Sequence, residues 1–319
     1  MSDQRKQTIL VSGAGTIGTG MAIVFALAGH NVRIWDIDQE ALERSKDLVR
    51  DRLGLLTEHK MTQCDPATAF ARIEWFMDLS RAGSDVDLVQ ECLPEVLSLK
   101  REHYRALAKI VPEKCVIASS TSTIPPGKLS EGLENASRFL VGHPANPPFL
   151  MPLVEIIVGP ATEAWVKEYA TSLYETCGLD VVHVEREIEG FIFNRLQGAM
   201  IREAYCLVQD QVASVADVDK VVRTGLAPRW CVTGPFETAD LNVEGGIPDH
   251  ANRFGEIYRS MGQLRGQDTP WTKELVENVT RQRREILPLD QRAARVGWRD
   301  SRLAAIRSAL AKVFRGDGT

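Results

Sequence analysis

The chain has 319 residues, 44% of them hydrophobic and 25% charged, which is enough apolar material for one large or two medium cores. A formal net charge of -5 gives no global attraction to nucleic acid or to an anionic lipid surface, so a small-molecule partner is favoured. Six cysteines lie without C-x-x-C pairs, and no Cys/His cluster has zinc spacing; reduced thiols in a cytoplasmic protein with no metal site are expected.

A polar leader, residues 1–7, runs straight into the apolar segment Thr8–Ser12, so no cleavable signal is expected, and the most apolar stretch, Met21–Ala28, is too short to span a bilayer. Thr8–Ser12 is expected as the first strand, Thr19–Gly29 as a small-residue helix and Asn31–Trp35 as the second strand. The segment Lys46–Trp75 is helical in composition and longer than a crossover needs, so an inserted helical pair projecting from the sheet is expected there. Further strands are expected at Val86–Gln90, Val116–Ser119, Phe139–Gly142, Leu153–Val158 and Val181–Val184. Short β-rich runs alternating with helical patterns imply a parallel sheet with helical crossovers. From Glu189 the texture changes: Phe193, Leu196, Met200, Ala204 and Leu207 recur at helical spacing, and the remainder reads as helices joined by Gly/Pro loops. The expected fold is therefore α/β, an N-terminal Rossmann-like doubly wound sheet over residues 1–188 followed by an all-α domain over 189–319. Near the C-terminus, Arg281, Arg283, Arg284, Arg292, Arg295, Arg299, Arg302 and Arg307 are interrupted by Glu285, Asp290 and Asp300, which reads as a solvated helical face.

Ile9-Leu10-Val11 leads into Gly13-Ala14-Gly15-Thr16-Ile17-Gly18, so strand, glycine turn and helix stand in the order of a dinucleotide fingerprint. Gly13 permits the tight turn, Gly15 lets the backbone approach a pyrophosphate, and Gly18 lets the helix lie close on the sheet. The second strand ends in Trp35-Asp36, a carboxylate at the distance of a ribose, where it would repel a 2′-phosphate; NAD is expected as the cofactor rather than NADP.

Among six histidines, His30, His59, His103, His183 and His250 read as lying in polar or surface-like surroundings. His143 ends an apolar strand and opens the proline-rich segment His143-Pro144-Ala145-Asn146-Pro147-Pro148. Glu155, between Leu153 and Ile157, shares a face with them by period-two alternation, and a buried carboxylate needs a partner. If the loop folds back, His143 is the nearest one, forming a pair able to take a proton at neutral pH. Ser122, in the run Ser119–Thr123, follows a strand at the edge where open α/β sheets place ligands, and Asn194 sits early in the first helix after the texture change. Alone, either residue reads as a turn or cap; together with the pair and the glycine turn they read as a site.

On GAGTIG, QECLPEVLSLKR, SSTSTIPPGKL, GHPANPPFLMPLVEI, EGFIFNRLQ, GPFETADLN and RVGWRDSRL, the chain resembles the 3-hydroxyacyl-CoA dehydrogenase family, nearest its λ-crystallin or L-gulonate 3-dehydrogenase branch. The resemblance implies NAD-dependent oxidation of a 3-hydroxy group, with Ser122, His143, Glu155 and Asn194 as the catalytic and substrate-oxygen group. It also implies NAD contacts at Asp36, Glu95, Lys100 and Asn146 beside Gly13, Gly15, Thr16, Ile17 and Gly18, and a homodimer formed through the helical domain. Relatives that accept coenzyme A carry a strongly basic arm after the second strand; here Arg50, Arg52 and Lys60 are mixed with Asp47, Asp51, Glu58 and Asp65. Arg229 in the segment Gly225–Trp230 resembles the gulonate and carnitine enzymes and has the chemistry to pair with a free carboxylate, although an arginine at an interface reads the same way. An L-gulonate-like 3-hydroxy acid is thus the first expectation, followed by 3-hydroxybutyryl-CoA and L-carnitine, with a crystallin-like NAD-binding structural protein as the non-enzyme alternative.

Overall fold

Ile9 and Val11 point into one core and Leu10 into another, so the first strand is covered on both faces, as a central parallel strand must be. The computed structural model describes residues 6–231, 233–244, 246–265 and 288–315, with positions 274, 278, 280, 281 and 285 between the last two segments. The strands are β1 (Thr8–Ser12), β2 (Asn31–Trp35), β3 (Ile73–Phe76), β4 (Leu88–Glu91), β5 (Val116–Ser119), β6 (Phe139–Pro144), β7 (Leu153–Val158) and β8 (Asp180–Val184). They form one sheet in the order β3-β2-β1-β4-β5-β6-β7-β8. The strands β1 to β6 run parallel, whereas β7 turns back antiparallel to β6 and β8 runs parallel to β7. The order reverses between β1 and β4, the switch point at which open sheets leave a crevice.

The connections carry α1 (Thr16–Leu27), α2 (Gln39–Glu58), α3 (Pro66–Phe70), α4 (Leu79–Gly83), α5 (Leu97–Ala108), α6 (Pro126–Ser130) and α7 (Ala164–Thr176). Helix α1 is buried from Gly18 to Ala26, which its nearly continuous apolar composition permits. The expected helical pair over Lys46–Trp75 is corrected. Two helices are present, α2 and α3, but Leu42, Val49, Leu53 and Leu56 of α2 form a buried stripe and the pair packs on α1, and the segment ends not in helix but in β3, an edge strand paired with β2. Four residues, IEWF, are too few to display a period-two pattern against the helical composition before them.

After β8 the chain continues as α8 (Phe193–Gln209), α9 (Val215–Val221), α10 (Ala227–Trp230), α11 (Pro235–Leu241), α12 (Gly246–Arg265) and α13 (Arg292–Arg315). Packing divides it into two units, Met1–Arg195 with Asp300–Thr319, and Leu196–Arg299. The segment from Asp300 groups with the first unit because Ala304 is buried in that unit's core. Arg283 and Arg284 of the basic C-terminal stretch, and the side chains of Arg292, Arg295, Arg299 and Arg307, lie outside the described residues; Arg281 pairs with Glu285 at 3.1 Å. Among the described residues no helix is long and apolar enough to cross a membrane.

Candidate active site

The ends of β1, β4, β5 and β6 carry the glycine turn, Glu91, Ser119 and His143 to one edge of the sheet. At Gly13 φ is +109°, its N–H donates to the Trp35 carbonyl at 2.7 Å, and an added Cβ would stand 2.8 Å from the Cys92 carbonyl oxygen. A Cβ on Gly18 would run into the Gly13 carbonyl, so this glycine protects the turn itself as well as the helix-to-sheet approach. Gly15 has open space in place of a side chain and is the N-cap of α1, which has no side-chain cap and no acidic residue in its first turn. The helix start therefore presents uncapped N–H groups and the positive end of its dipole, a setting that a pyrophosphate completes. Asp36 Oδ2 accepts the Ala14 N–H at 2.8 Å and Oδ1 accepts the Asp38 N–H at 3.0 Å, which fixes a half-buried carboxylate beside the turn. Turn, helix start and carboxylate fit the pyrophosphate and ribose of NAD.

Next along this edge is an ionic cluster. Glu91, fully buried, accepts hydrogen bonds from Lys100 Nζ at 2.8 Å, Ser119 Oγ at 2.6 Å, the Leu93 N–H at 2.6 Å and the Tyr104 hydroxyl. Lys100 also lies 3.4 Å from Glu95 Oε2. The other oxygen of Glu95 accepts from the Ser122 N–H at 3.0 Å, the Thr123 N–H at 3.2 Å, Thr123 Oγ1 at 3.1 Å and Thr121 Oγ1. Partial burial pushes the Glu95 carboxyl up, but the Thr121 hydroxyl, the Lys100 charge and the loop donors outweigh it and hold the group below the usual carboxylate range. Glu95 thus moulds the loop that carries Ser122. Lys100, expected as a cofactor contact, is 1% exposed and sits beneath the site, where it holds the two glutamates.

His143 and Glu155 are direct cross-strand partners on the antiparallel pair β6 and β7, with Nδ1 2.8 Å from Oε2. His143 belongs to the strand rather than to the loop after it, and the fold-back the pairing requires is the hairpin formed by the two strands. The residues are 6% and 2% exposed, and the Phe191 and Phe193 rings flank the imidazole. Glu155 Oε1 accepts the N–H groups of Ile192 and Phe193 at 2.8 and 2.9 Å. Burial pushes this carboxyl up, yet the His143 hydrogen bond and the two N–H donors prevail and keep it below its ordinary range. Asn194 Nδ2 donates to the Ser122 carbonyl at 2.8 Å, joining α8 to the serine loop. The structure thus brings Ser122, His143, Glu155 and Asn194 together in the first unit. Asn146 is exposed in the loop beyond β6, and Arg229 is exposed on α10 in the second unit.

Glu91, Gln90 and Tyr174 escaped the sequence reading. Gln90 is buried; it accepts from the Tyr174 hydroxyl at 2.6 Å and donates to Ser120 Oγ at 2.7 Å and to the Gly142 carbonyl at 3.1 Å, directly before His143. The available signal was a Gln-Glu pair ending an otherwise apolar strand, with Lys100 nine residues after Glu91. The placement of His30 and His103 in polar or surface-like surroundings is corrected: both are buried. His103 stacks on Trp35 at 5.0 Å, and this burial pushes its imidazole down to about 4.

A glycine turn with a ribose carboxylate, beside a buried imidazole–carboxylate pair at the same sheet edge, defines a nucleotide-dependent dehydrogenase. Residues 8–188 match the 3-hydroxyacyl-CoA dehydrogenase NAD-binding domain and residues 190–285 match the 3-hydroxyacyl-CoA dehydrogenase C-terminal domain. The chain belongs to the 3-hydroxyacyl-CoA dehydrogenase family, NAD-dependent oxidoreductases acting on CH–OH groups. It is 31% identical to the lambda-crystallin homolog of Homo sapiens over 317 residues, covering 97% of this chain and 99% of that one. It is 33% identical to the L-carnitine dehydrogenase of Nocardiopsis dassonvillei over 320 residues, covering 98% and 94%. Among solved structures, FHMPC 5-dehydrogenase, an NAD+-dependent dismutase, superposes with a TM-score of 0.81 at 26% identity over 96% of this chain and 99% of that one.

Proposed function

We propose that this enzyme oxidises a free 3-hydroxy acid of the L-gulonate type to the 3-keto acid. The observation that carries the choice of a free acid over a thioester is the charge on α2. Its 20 residues hold five carboxylates and four cations, and three of the cations pair within the helix or with its N-cap: Arg44 with Asp38 at the cap and with Glu40, Lys46 with Glu43, and Arg50 with Asp47. The fourth, Arg52, lies over the Phe149 ring and donates to the Thr16 carbonyl at 3.2 Å, and Lys46 and Arg50 also lie over the Trp75 and Phe70 rings. A self-neutralised helix offers little to the phosphates of coenzyme A. Arg229 is assigned the substrate carboxylate, for which its planar guanidinium is suited.

NAD held at the glycine turn would supply the acceptor for the hydride released by the substrate carbon. His143 receives the hydroxyl proton, Glu155 orients the imidazole and stabilises its charged form, and Ser122 and Asn194 donate to the substrate oxygen as negative charge develops there. Asp36 and the glycine turn would hold the dinucleotide, with Glu95 and Asn146 as further contacts to it. The L-carnitine dehydrogenase relatives support a second substrate of the same chemical kind, since carnitine also carries a free carboxylate. The helical region pairs two copies of the chain: Leu196, Val212, Phe236, Leu241 and Leu264 are each at least 60% exposed in the single chain, and sedimentation analysis tests the dimer.

NADH formation from L-gulonate, L-carnitine and 3-hydroxybutyryl-CoA decides among the substrates. Activity on the thioester alone overturns the proposal, and NADH binding without turnover of any of the three supports the structural role. Replacing Arg229 with Met raises the KM for free acids if the arginine holds the carboxylate and leaves it unchanged otherwise.

A further inference from the structure

Glu155 serves two partners with two oxygens. Oε2 faces His143 Nδ1 at 2.8 Å, while Oε1 accepts the successive N–H groups of Ile192 and Phe193 at the start of α8. We propose that these two backbone N–H groups are a positioning element for the proposed base: they hold the residue-155 side chain in place as an acceptor toward His143, and so set which imidazole nitrogen carries the proton and how firmly the imidazolium is held.

The backbone that delivers the two donors is unusual. Gly190 and Phe191 both have positive φ, +77° and +49°, and Phe191 is a fully buried aromatic residue for which that region is sterically disfavoured. An ordinary extended entry into α8 would avoid the strain. The contorted entry is held by Gly190 N–H to the Thr123 carbonyl at 3.5 Å and by Asn194 to the Ser122 carbonyl at 2.8 Å, so the segment is tied to the serine loop at two points. Three effects follow from elementary chemistry. Donors committed to Oε1 leave Oε2 for the imidazole. An ionised carboxylate at that place can only accept, so the proton sits on Nδ1 and Nε2 is left with its lone pair for a substrate proton. The N–H groups also draw negative charge away from Oε2, which tempers how strongly the imidazolium is stabilised. His143 is the one titratable group facing Glu155 among the described residues. On β8 its register partner is Val182, its neighbours on β7 are Val154 and Ile156, and the α8 entry presents Phe191 and Phe193.

The inference rests on the reading of His143 as the base, so the experiment separates the two. Phe193→Pro removes one N–H at the first helical position, where proline is tolerated, and Phe193→Leu keeps the N–H while removing the ring that flanks His143. The acid limb of kcat/KM for the oxidation is expected to move to higher pH by about half a unit or more in the proline variant relative to the leucine variant. The sign follows because a carboxylate with fewer donors holds the imidazolium more firmly. Coincident limbs overturn the proposal, since a purely structural lesion lowers the rate without moving its pH dependence. If the proline variant fails to fold, nitrogen-15 NMR of His143 in Glu155→Gln gives the answer. Two N–H donors at one end compel the amide oxygen to stay there and turn the NH2 toward His143, moving the imidazole proton to Nε2. Persistence of the Nδ1–H form overturns the selection by α8. His143→Ala reports on the base itself: wild-type turnover in that variant removes the reading beneath the proposal, whereas a dead His143→Ala with coincident limbs removes the proposal alone.

Discussion

Lys100→Met distinguishes a buried scaffold from a cofactor contact. The Lys100 ammonium is 1% exposed and donates to Glu91, itself at 0%, and to the Leu93 carbonyl at 3.1 Å. Removing one member of a buried ion pair strands the other charge and costs about 3–5 kcal/mol. Glu91 keeps its donors from Ser119, Tyr104 and the Leu93 N–H, which places the expected loss near the lower end, about 3 kcal/mol. The urea midpoint of the first unit should fall by the corresponding amount with an unchanged slope. Adding Glu91→Gln removes the stranded charge and should restore most of the loss, a coupling that a double-mutant cycle reads directly. NADH fluorescence titration supplies the contrast: on this reasoning affinity changes less than stability, and only through Glu95 and the Ser122 loop. An unaltered midpoint with a large rise in the NADH dissociation constant would refute the argument and return Lys100 to the cofactor surface.

Three other outcomes are expected. His103 is neutral in the fold, its imidazole pushed down to about 4 from an ordinary value of 6.5 by burial, with Glu91 opposing and Lys100 adding. The unfolded chain therefore binds the extra proton first, and about 3 kcal/mol of stability is lost as pH falls from 6.5 to about 4. In His103→Phe, stability should be flatter across that window; an identical pH profile by thermal melting contradicts the burial. Gly18→Ala forces a methyl into the Gly13 carbonyl, so NADH binding should be lost, with poorer folding, and a variant with normal affinity would show that the turn can shift. Asp36→Ala removes the carboxylate that accepts the Ala14 N–H, so discrimination against NADP should weaken, and an unchanged NAD-to-NADP ratio of kcat/KM would deny its ribose role.

Features with a local cause were readable from the chain. The glycine turn, four strands with their ends and the proximity of Glu155 to His143 follow from backbone sterics, alternation and the need of a buried carboxylate for a partner. Features that depend on neighbours distant in sequence were not. β3 is four residues long and becomes a strand because β2 offers an edge, and β6 extends through His143 because β7 turns back upon it. Lys100 looks like any helix lysine until Glu91, Leu93 and Glu95 surround it. His103, between Glu102 and Tyr104 in a charged helix, gives no local sign that Trp35 will cover it.

The same separation explains why reaction type is easier to read than substrate. Hydride transfer to NAD with proton removal needs a few groups at fixed distances, and those distances are set by strand register and turn geometry, which a short motif encodes. Substrate class depends on net charge over a surface. On α2 that charge is the difference between five acids and four bases, and on the proposed reading the free acid is favoured because those bases are satisfied within the fold. Reversing that balance is then the direct way to change partner: replacing Asp47 and Glu43, which pair with Arg50 and Lys46, leaves two cations without acid partners and does not touch His143 or Glu155. If the surface charge of α2 selects against coenzyme A, that double replacement should lower the KM for 3-hydroxybutyryl-CoA more than for L-gulonate, increasingly so at low ionic strength. Equal effects on the two substrates, or no dependence on salt, would remove α2 from the account of specificity.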